Sequence, residues 1–589
     1  MRRFSIPSVL LLASALAFAR QPPSESQRLI DTGKLWVTVK YFHPYLAYRN
    51  DIDWDKALIN TLTQIRDAAN SEDYAAAVNI MLAALHDPLT HAAILPSDAN
   101  PFLQDEKARE EEGKTRNLRS RMHHGLPPYG SHSPFYYSGL VIKPSPGFIE
   151  TATVPLGANI FASVRLSEPV LQNDDLSLSV QPARPPYTEP SYPSVEYRIL
   201  AAYQVWGVIH YFFAYKDLMD EDWDKIFADY LPRFIAAKDA REYHLTVAEM
   251  ISYLSDSHAT VQSLELQKYF GESFVGLRLR LIEKKPVITE ILDEEAKKAG
   301  VKVGDIVTKV DGESMGERIK REANYISAST AQHLGYSVMQ RILNGPESST
   351  AVLTIVGADG HAREVSLKRS TGYLMELNSQ RTGDVVKTLP KNIGYADLDR
   401  LKPAEVNAMF DKFRDTQTII FDMRGYPHET AGSIASRLTE KKNVQAAIIT
   451  GPIAMQPDLP KIRTETSTAS YFEIETILPS DQWKYKGRTV MLIDERTFSQ
   501  GEHTGFFLGA VNRTEFIGTP SAGADGDPSD FVVPGGITIA FSGHDIRYSN
   551  GGALQRLGLQ PAVTITPTVK GIRAGRDEVL EGALNYLSK

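Results

Sequence analysis

Residues 490–510 read VMLIDERTFSQGEHTGFFLGA, and the fold class follows from them. Val490 to Ile493 is an unbroken apolar run that stops at Asp494, as a buried strand does, and Phe506, Phe507 and Ala510 share the inward face of the helical stretch beyond it. Strand, short turn and helix together are the repeating unit of an α/β layer. Ser499 falls in the turn. A serine there has an exposed side chain, and the N–H groups of its neighbours, Gln500 first, lie unpaired at a helix N-terminus where they can hold an oxyanion. The same serine also fits an N-cap, with Glu502 three residues on closing a capping box. The local sequence leaves nucleophile and cap both open.

Working outward, IGYADLD from Ile393, QTIIFDMRG from Gln417 and NVQAAIIT from Asn443 are further short apolar strands, alternating with helical stretches such as Pro403 to Arg414. Residues 371–589 therefore read as an α/β domain with a largely parallel sheet, whose function sits at strand ends. Residues 271–370 change to short strands around one or two helices. Two earlier segments, 20–100 and 194–270, are helical, with apolar residues three and four apart, and they repeat one another. Trp36, Tyr41, Trp54 and Asp55 correspond to Trp206, Tyr211, Trp223 and Asp224, and both copies close on a similar tail, LAALHDPLTHAAI from Leu82 and ISYLSDSHATV from Ile251. His91 is read as occupying the place of His258. Between the copies, 101–193 holds a charged stretch (Asp105 to Arg121) and a Pro-, Tyr- and Ser-rich part with short strands, ending in a boundary linker. The expectation is a multidomain α+β chain.

A chain of 589 residues must divide, since single cores stop growing near ~250–300 residues. Its 42% hydrophobic and 23% charged residues are globular proportions. A net charge of -8 argues against a nucleic-acid partner, which needs a concentrated basic face. Arg2 and Arg3, the apolar stretch Val9 to Phe18 and the Ala17-Phe18-Ala19 site have the layout of a signal peptide over residues 1–19. We therefore expect a secreted or periplasmic protein with no stable membrane insertion after cleavage. There is no cysteine, hence no disulfide and no thiol nucleophile. No H-E-x-x-H, paired Cys/His spacing or phosphate-cradling glycine loop occurs, so neither metal nor other cofactor is indicated.

EEAKKAGVKVGDIVTKVDGE, residues 294–313, resembles a PDZ domain in its Ala299–Asp305 turn and its Asp311-Gly312 turn. That resemblance implies capture of an extended peptide tail by strand addition, with the terminal carboxylate held by the loop Phe274, Val275, Gly276 and Leu277. The last ~200 residues resemble the tail-specific (C-terminal processing) serine proteases, whose relatives include the tricorn protease core and interphotoreceptor retinoid-binding protein. The resemblance rests on Thr497-Phe498-Ser499-Gln500-Gly501-Glu502, on IGTPSAGADGD from Ile517, and in part on FDMRGYPHETAG from Phe421. It implies a peptidase acting on polypeptides, with Ser499 as nucleophile and Gln500 and Gly425 as oxyanion donors. Tyr426, His428 and Glu429 replace the asparagine and glycines of the family's D-x-R-G-N-x-G-G turn. No lysine lies between Lys486 and Lys570, so the serine–lysine dyad of the bacterial members is excluded. The tricorn-like branch takes a histidine from the helical domain before the PDZ, and Ser257-His258 matches it in place and order. Ser257 or Asp256 would orient His258, and Gln555 stands where that branch has a glutamate. Asp256 or Asp525 is then expected to supply the missing charge. The retinoid-binding relatives imply a rival from another class, a non-catalytic binder of hydrophobic ligands or peptides on the same fold.

Overall fold

The computed structural model describes residues 22–97, 99, 117–126, 137–144, 149–170, 187–373, 381–459 and 470–588. The expected signal peptide and most of the charged stretch lie outside the described residues. The chain divides into two compact units, 1–120 with 142–174, and 121–141 with 175–589.

In the first unit three helices, Glu25–Phe42, Trp54–Asp67 and Ser71–Ala83, enclose Trp36, Phe42 and Tyr74, all buried. Each starts on a side-chain cap, from Ser24, Asp53 and Asn70, which satisfies a backbone donor that the first helical turn leaves open. A three-stranded antiparallel sheet, His91–Ile94, Ile160–Arg165 and Thr151–Pro155, completes the unit.

The second unit opens on the same helical plan. Val195–Phe212, Trp223–Ala236 and Ala240–Ser252 have 18, 14 and 13 residues, the lengths of the first copy in the same order. The internal bonds repeat as well. Arg28 Nε donates to Ile65 O at 2.9 Å and Arg198 Nε to Phe234 O at 2.8 Å, while Trp54 Nε1 and Trp223 Nε1 donate to the carbonyls of Trp36 and Trp206.

Residues 277–368 form an antiparallel sheet in the order Ala362–Lys368, Thr350–Val356, Ile306–Val310, Lys285–Ile291, Leu277–Ile282. Leu277–Ile282 is its edge, and the helix Ala331–Arg341 lies beside that edge, where Gly335 leaves room for Leu281. In the C-terminal region a six-stranded sheet runs Val386–Leu389, Ile393–Asp397, Thr418–Asp422, Arg488–Ile493, Glu515–Gly518, Val563–Thr564. The first pair is antiparallel and the others are parallel. Alternation along the strands sets its two faces. Ile419, Phe421, Met491 and Ile493 meet the helices carrying Phe410 and Phe506, and Ile420, Val490 and Leu492 meet Val579 and Ala583 of the C-terminal helix. The strand before Ser499 is thus held in the middle of the sheet. Among the described residues no helix is long and apolar enough to cross a membrane.

Candidate active site

Ser499 sits between the strand Arg488–Ile493 and the helix Gln500–Asn512, with φ 51° and ψ -119° and no side-chain capping bond. The capping-box alternative is therefore not realised. Glu502 faces away, accepting from Ser521 Oγ at 2.5 Å, Gly523 N at 2.7 Å and Ala524 N at 2.9 Å. Burial pushes its carboxyl up to about 8, against the lowering effect of those donors. A positive φ on a non-glycine residue costs on the order of 1–3 kcal/mol and persists only where its surroundings over-determine it. Here they do. Ser499 N donates to Ala524 O at 3.0 Å, and Ser499 O accepts from Glu502 N and His503 N at 2.7 and 2.9 Å. The outcome is a sharp strand-to-helix turn with the hydroxyl projecting.

His258 Nε2 lies 2.9 Å from Ser499 Oγ, across 241 residues of sequence. His258 ends the turn after the helix Ala240–Ser252, and the strand Thr260–Gln262 that follows pairs antiparallel with Ile537–Ser542. Ala540 pairs with Thr260 in that ladder, and two residues further on Ser542 meets His258, with Nδ1 to Ser542 Oγ at 3.0 Å. Ser542 Oγ donates in turn to Asp256 Oδ1 at 2.9 Å, and Ser542 N to Asp256 Oδ2 at 2.8 Å. Asp256 is fully buried and lies 4.0 Å from His258 Nδ1. The line of groups is Ser499, His258, Ser542, Asp256. Nothing around Ser542 in the sequence marks it, because only the pairing of two distant strands delivers it.

Ser257, expected beside the imidazole, is turned elsewhere. Its hydroxyl accepts from Ser329 N at 2.9 Å and its N–H donates to Ser329 Oγ at 2.9 Å. Of the two orienting groups considered, Asp256 is the one linked to His258. Gln555 Nε2 donates to Asp256 Oδ1 at 3.3 Å and to Ser329 Oγ at 3.1 Å, so an amide donor stands where a second carboxylate would repel the first. Asp525, the other expected charge, instead faces His503 Nδ1 at 2.8 Å, with Glu475 on Nε2 at 2.6 Å. Burial lowers the His503 pKa, and these two carboxylates more than reverse that, to about 10.

Gln500 begins the helix, and among the described residues its N–H has no acceptor. Gly425 does not match its expected part. Its carbonyl passes the helix start beside Gly501, but its N–H donates to Met423 O at 2.8 Å, and the next N–H, of Tyr426, donates to Asp399 Oδ1 at 2.8 Å. Asp399 also packs directly on Gly425, leaving no room for a Cβ. In the same turn Glu429 keeps a left-handed φ of 54°, the conformation the glycine of the motif would supply without strain. Asp422 and Arg424 are joined beneath it by two side-chain hydrogen bonds and a third from the Arg424 backbone N–H. Burial would raise the Asp422 carboxyl, but Arg424 and Arg381 hold it well below the usual carboxylate range.

His91 is exposed at the start of its strand. Bonding in the two turns corrects the expected correspondence. Thr90 N donates to Asp87 O as Ala259 N does to Asp256 O, and His86 and Ser255 share φ values of 51° and 50°. Asp87 therefore matches Asp256, and Leu89 takes the place of His258. In the loop 274–277, Phe274 N donates to Ser370 O and Leu277 N to Val275 O. Among the described residues the N–H groups of Val275 and Gly276 have no acceptor.

Residues 392–565 match the model of peptidase family S41. No curated protein matches the chain. Among solved structures, mature CPAF complexed with lactacystin is similar at 14% identity and a TM-score of 0.52, over 67% of this chain and 97% of that one. The photosystem II D1 C-terminal processing protease is 16% identical over 64% of this chain and 98% of its own, with a TM-score of 0.39. For the tricorn protease the values are 13%, 85%, 45% and 0.33. At such identities the CPAF likeness speaks for the fold.

Proposed function

We propose that this chain, which carries the serine peptidase domain of family S41, hydrolyses peptide bonds of polypeptides through an acyl-enzyme on Ser499, with His258 as general base. The observation that carries this reading is the 2.9 Å approach of His258 Nε2 to Ser499 Oγ between residues 241 apart. Serine is a poor nucleophile until a positioned base removes its proton. As Ser499 Oγ attacks the scissile carbonyl, its proton passes to His258 Nε2, while Nδ1–H donates to Ser542 Oγ and Ser542 donates to Asp256. The imidazolium then forms 4.0 Å from the buried carboxylate, a separation at which opposite charges gain on the order of 4 kcal/mol at an effective dielectric of about 20. The oxyanion develops toward the Gln500 N–H at the helix start. Collapse returns the proton from Nε2 to the leaving amine, and water repeats the sequence to release the acyl group.

The edge strand Leu277–Ile282 beside the helix Ala331–Arg341, with the open N–H groups of Val275 and Gly276, supports a PDZ-like role in which a substrate tail adds as a further strand. A free C-terminus should then raise kcat/KM over an amidated one, and equal rates would remove this role. The N-terminal layout supports export with cleavage near Ala19, and N-terminal sequencing of exported protein that still begins at Met1 would count against it.

A fluorophosphonate probe tests the central proposal, since it labels only an activated serine. Labelling of Ser499 that disappears in His258→Ala is expected. An unlabelled chain would be the non-catalytic binder.

A further inference from the structure

The contact between His258 and Ser499 requires two separate turns to be in register, the turn carrying Asp256 and His258 and the loop 521–524 that fixes Ser499 through Ala524 O. One short segment, Ser327 to His333, binds both. Toward the first turn, Ser327 Oγ accepts from Asp256 N at 2.9 Å. Ser329 exchanges hydroxyl and N–H bonds with Ser257, both at 2.9 Å, and its hydroxyl also accepts from Gln555 Nε2 at 3.1 Å. Toward the second, Thr330 Oγ1 donates to Ala522 O at 2.8 Å and Gln332 Nε2 to Ser521 O at 2.9 Å. His333 stacks on Phe498 with ring centroids 5.1 Å apart, and the Phe498 ring also meets that of His258, at 4.6 Å. Ser327 and Ser329 are 7% and 4% exposed, so water is a poor substitute for either hydroxyl as an acceptor.

We infer that Ser329 is a positioning residue for the catalytic pair, seating the turn that carries Asp256 and His258 on the segment whose Thr330 and Gln332 hold the loop that fixes Ser499. It touches neither reacting atom. It acts by fixing Ser257 on one side and Gln555, the amide donor to Asp256, on the other. The inference rests on the reading of His258 as the base of Ser499.

Displacement of a base by about 1 Å from a remote change can cost on the order of 100-fold in rate. In the full chain, Ser329→Ala should lower kcat by about 10- to 100-fold with KM changed by no more than about twofold. Ser329→Thr, which keeps the hydroxyl, should restore most of kcat. In an Asp256→Asn background Ser329→Ala should cost far less than in the native chain, because residues acting through one another are not additive. Unchanged kcat in folded Ser329→Ala, or an equal loss in both backgrounds, would overturn the inference. If Ser329→Ala does not fold, Ser327→Ala, which removes the acceptor of Asp256 N, is read the same way. Full turnover in His258→Ala would instead overturn the underlying pair, an outcome separable from failure at Ser329 alone.

Discussion

The turns at 86–90 and 255–259 are built alike, each following a helix of 13 residues, each with a left-handed first residue and a buried aspartate second. They differ in what surrounds the carboxylate. Asp87 meets Arg165 Nη2 at 2.8 Å, His43 Nε2 at 3.1 Å and Thr90 Oγ1 at 2.7 Å. Burial would raise its pKa, but these partners hold it well below the usual carboxylate range. Asp256 meets only neutral donors among the described residues, the hydroxyl and N–H of Ser542, the His258 N–H and the Gln555 amide. A buried carboxylate already paired with a guanidinium has little left to offer another cation. One held by neutral donors is left to face a cation that appears later, in the proposed mechanism the imidazolium formed during reaction. In the proposed mechanism the duplicated turn is a structural anchor in one copy and an electrostatic device in the other.

The largest expected effect separates the copies most sharply. Ser499→Ala and His258→Ala should each lower kcat by on the order of 10⁴- to 10⁶-fold, and the double variant should lose little more, since the pair acts as a unit. His91→Ala and Leu89→His, the first changing the exposed histidine just beyond the anchor turn and the second installing a histidine at the matching place, should leave turnover near that of the native chain. Peptidase rates measured beside melting curves check this, and near-normal turnover in folded His258→Ala would dissolve the contrast.

Exchanging aspartate for asparagine in each turn should exchange the phenotype. Asp256→Asn is expected to cost on the order of 10²- to 10⁴-fold in kcat. Asp87→Asn leaves Arg165 buried without its charge partner and should cost about 3–5 kcal/mol of stability, with kcat per folded molecule unchanged. Denaturant melts and active-site titration on both variants decide it, and similar losses of kcat in the two would show that the turns are not functionally distinct.

How much of this was legible in the sequence follows from the range of each interaction. The strand, turn and helix around Ser499 are local, so periodicity exposed them, and the Ser257-His258 pair was found because a family motif preserves its order. The failure of the N-cap reading was not local. It turned on a backbone φ of 51°, fixed by a bond to Ala524. Ser542, Ser327 and Ser329 were missed because each reaches the site through strand pairing or a loop docked from another part of the chain, and a lone serine has no signature. Ser257 was misassigned because adjacency to His258 says nothing about where its hydroxyl turns. Gly425 was misassigned because the motif fixes its position and not the partner of its N–H. His91 was matched by residue type, whereas the register of the two turns is set by the aspartate.

Gln555 offers a finer probe of the neutral shell around Asp256. Gln555→Glu would place a second carboxyl where the amide now lies 3.3 Å from Asp256 Oδ1. Two carboxylates at that range cannot both stay ionised, so one proton is retained and the charge facing His258 is diluted. A loss of roughly 10-fold in kcat at neutral pH is expected, recovering as pH rises and the shared proton leaves. A pH–rate profile that superimposes on that of the native chain would mean the charge on Asp256 is not what Gln555 protects.

The smallest expected effect lies in the anchor turn and is a matter of stability alone. His43 is fully buried beside Asp87. Burial pushes its pKa below the ordinary value, with Asp87 opposing that only in part. Between the depressed folded value and about 6.5 the unfolded chain therefore binds a proton that the folded chain does not. Stability should fall as pH drops through that window, by up to ~1.4 kcal/mol per pH unit, and level off above it. His43→Gln removes the titrating group and keeps a hydrogen-bonding side chain of similar reach, so the drop in Tm from pH 7 to pH 5 should shrink by a few °C while turnover at pH 7 is unchanged. Calorimetry of the native chain and the variant across that range isolates the difference from the other histidines. Identical slopes would mean that His43 holds its proton against Asp87 in the folded state. The anchor carboxylate would then face a standing imidazolium, and the contrast between the turns would lie in when the histidine charge appears as well as in which cation faces the aspartate.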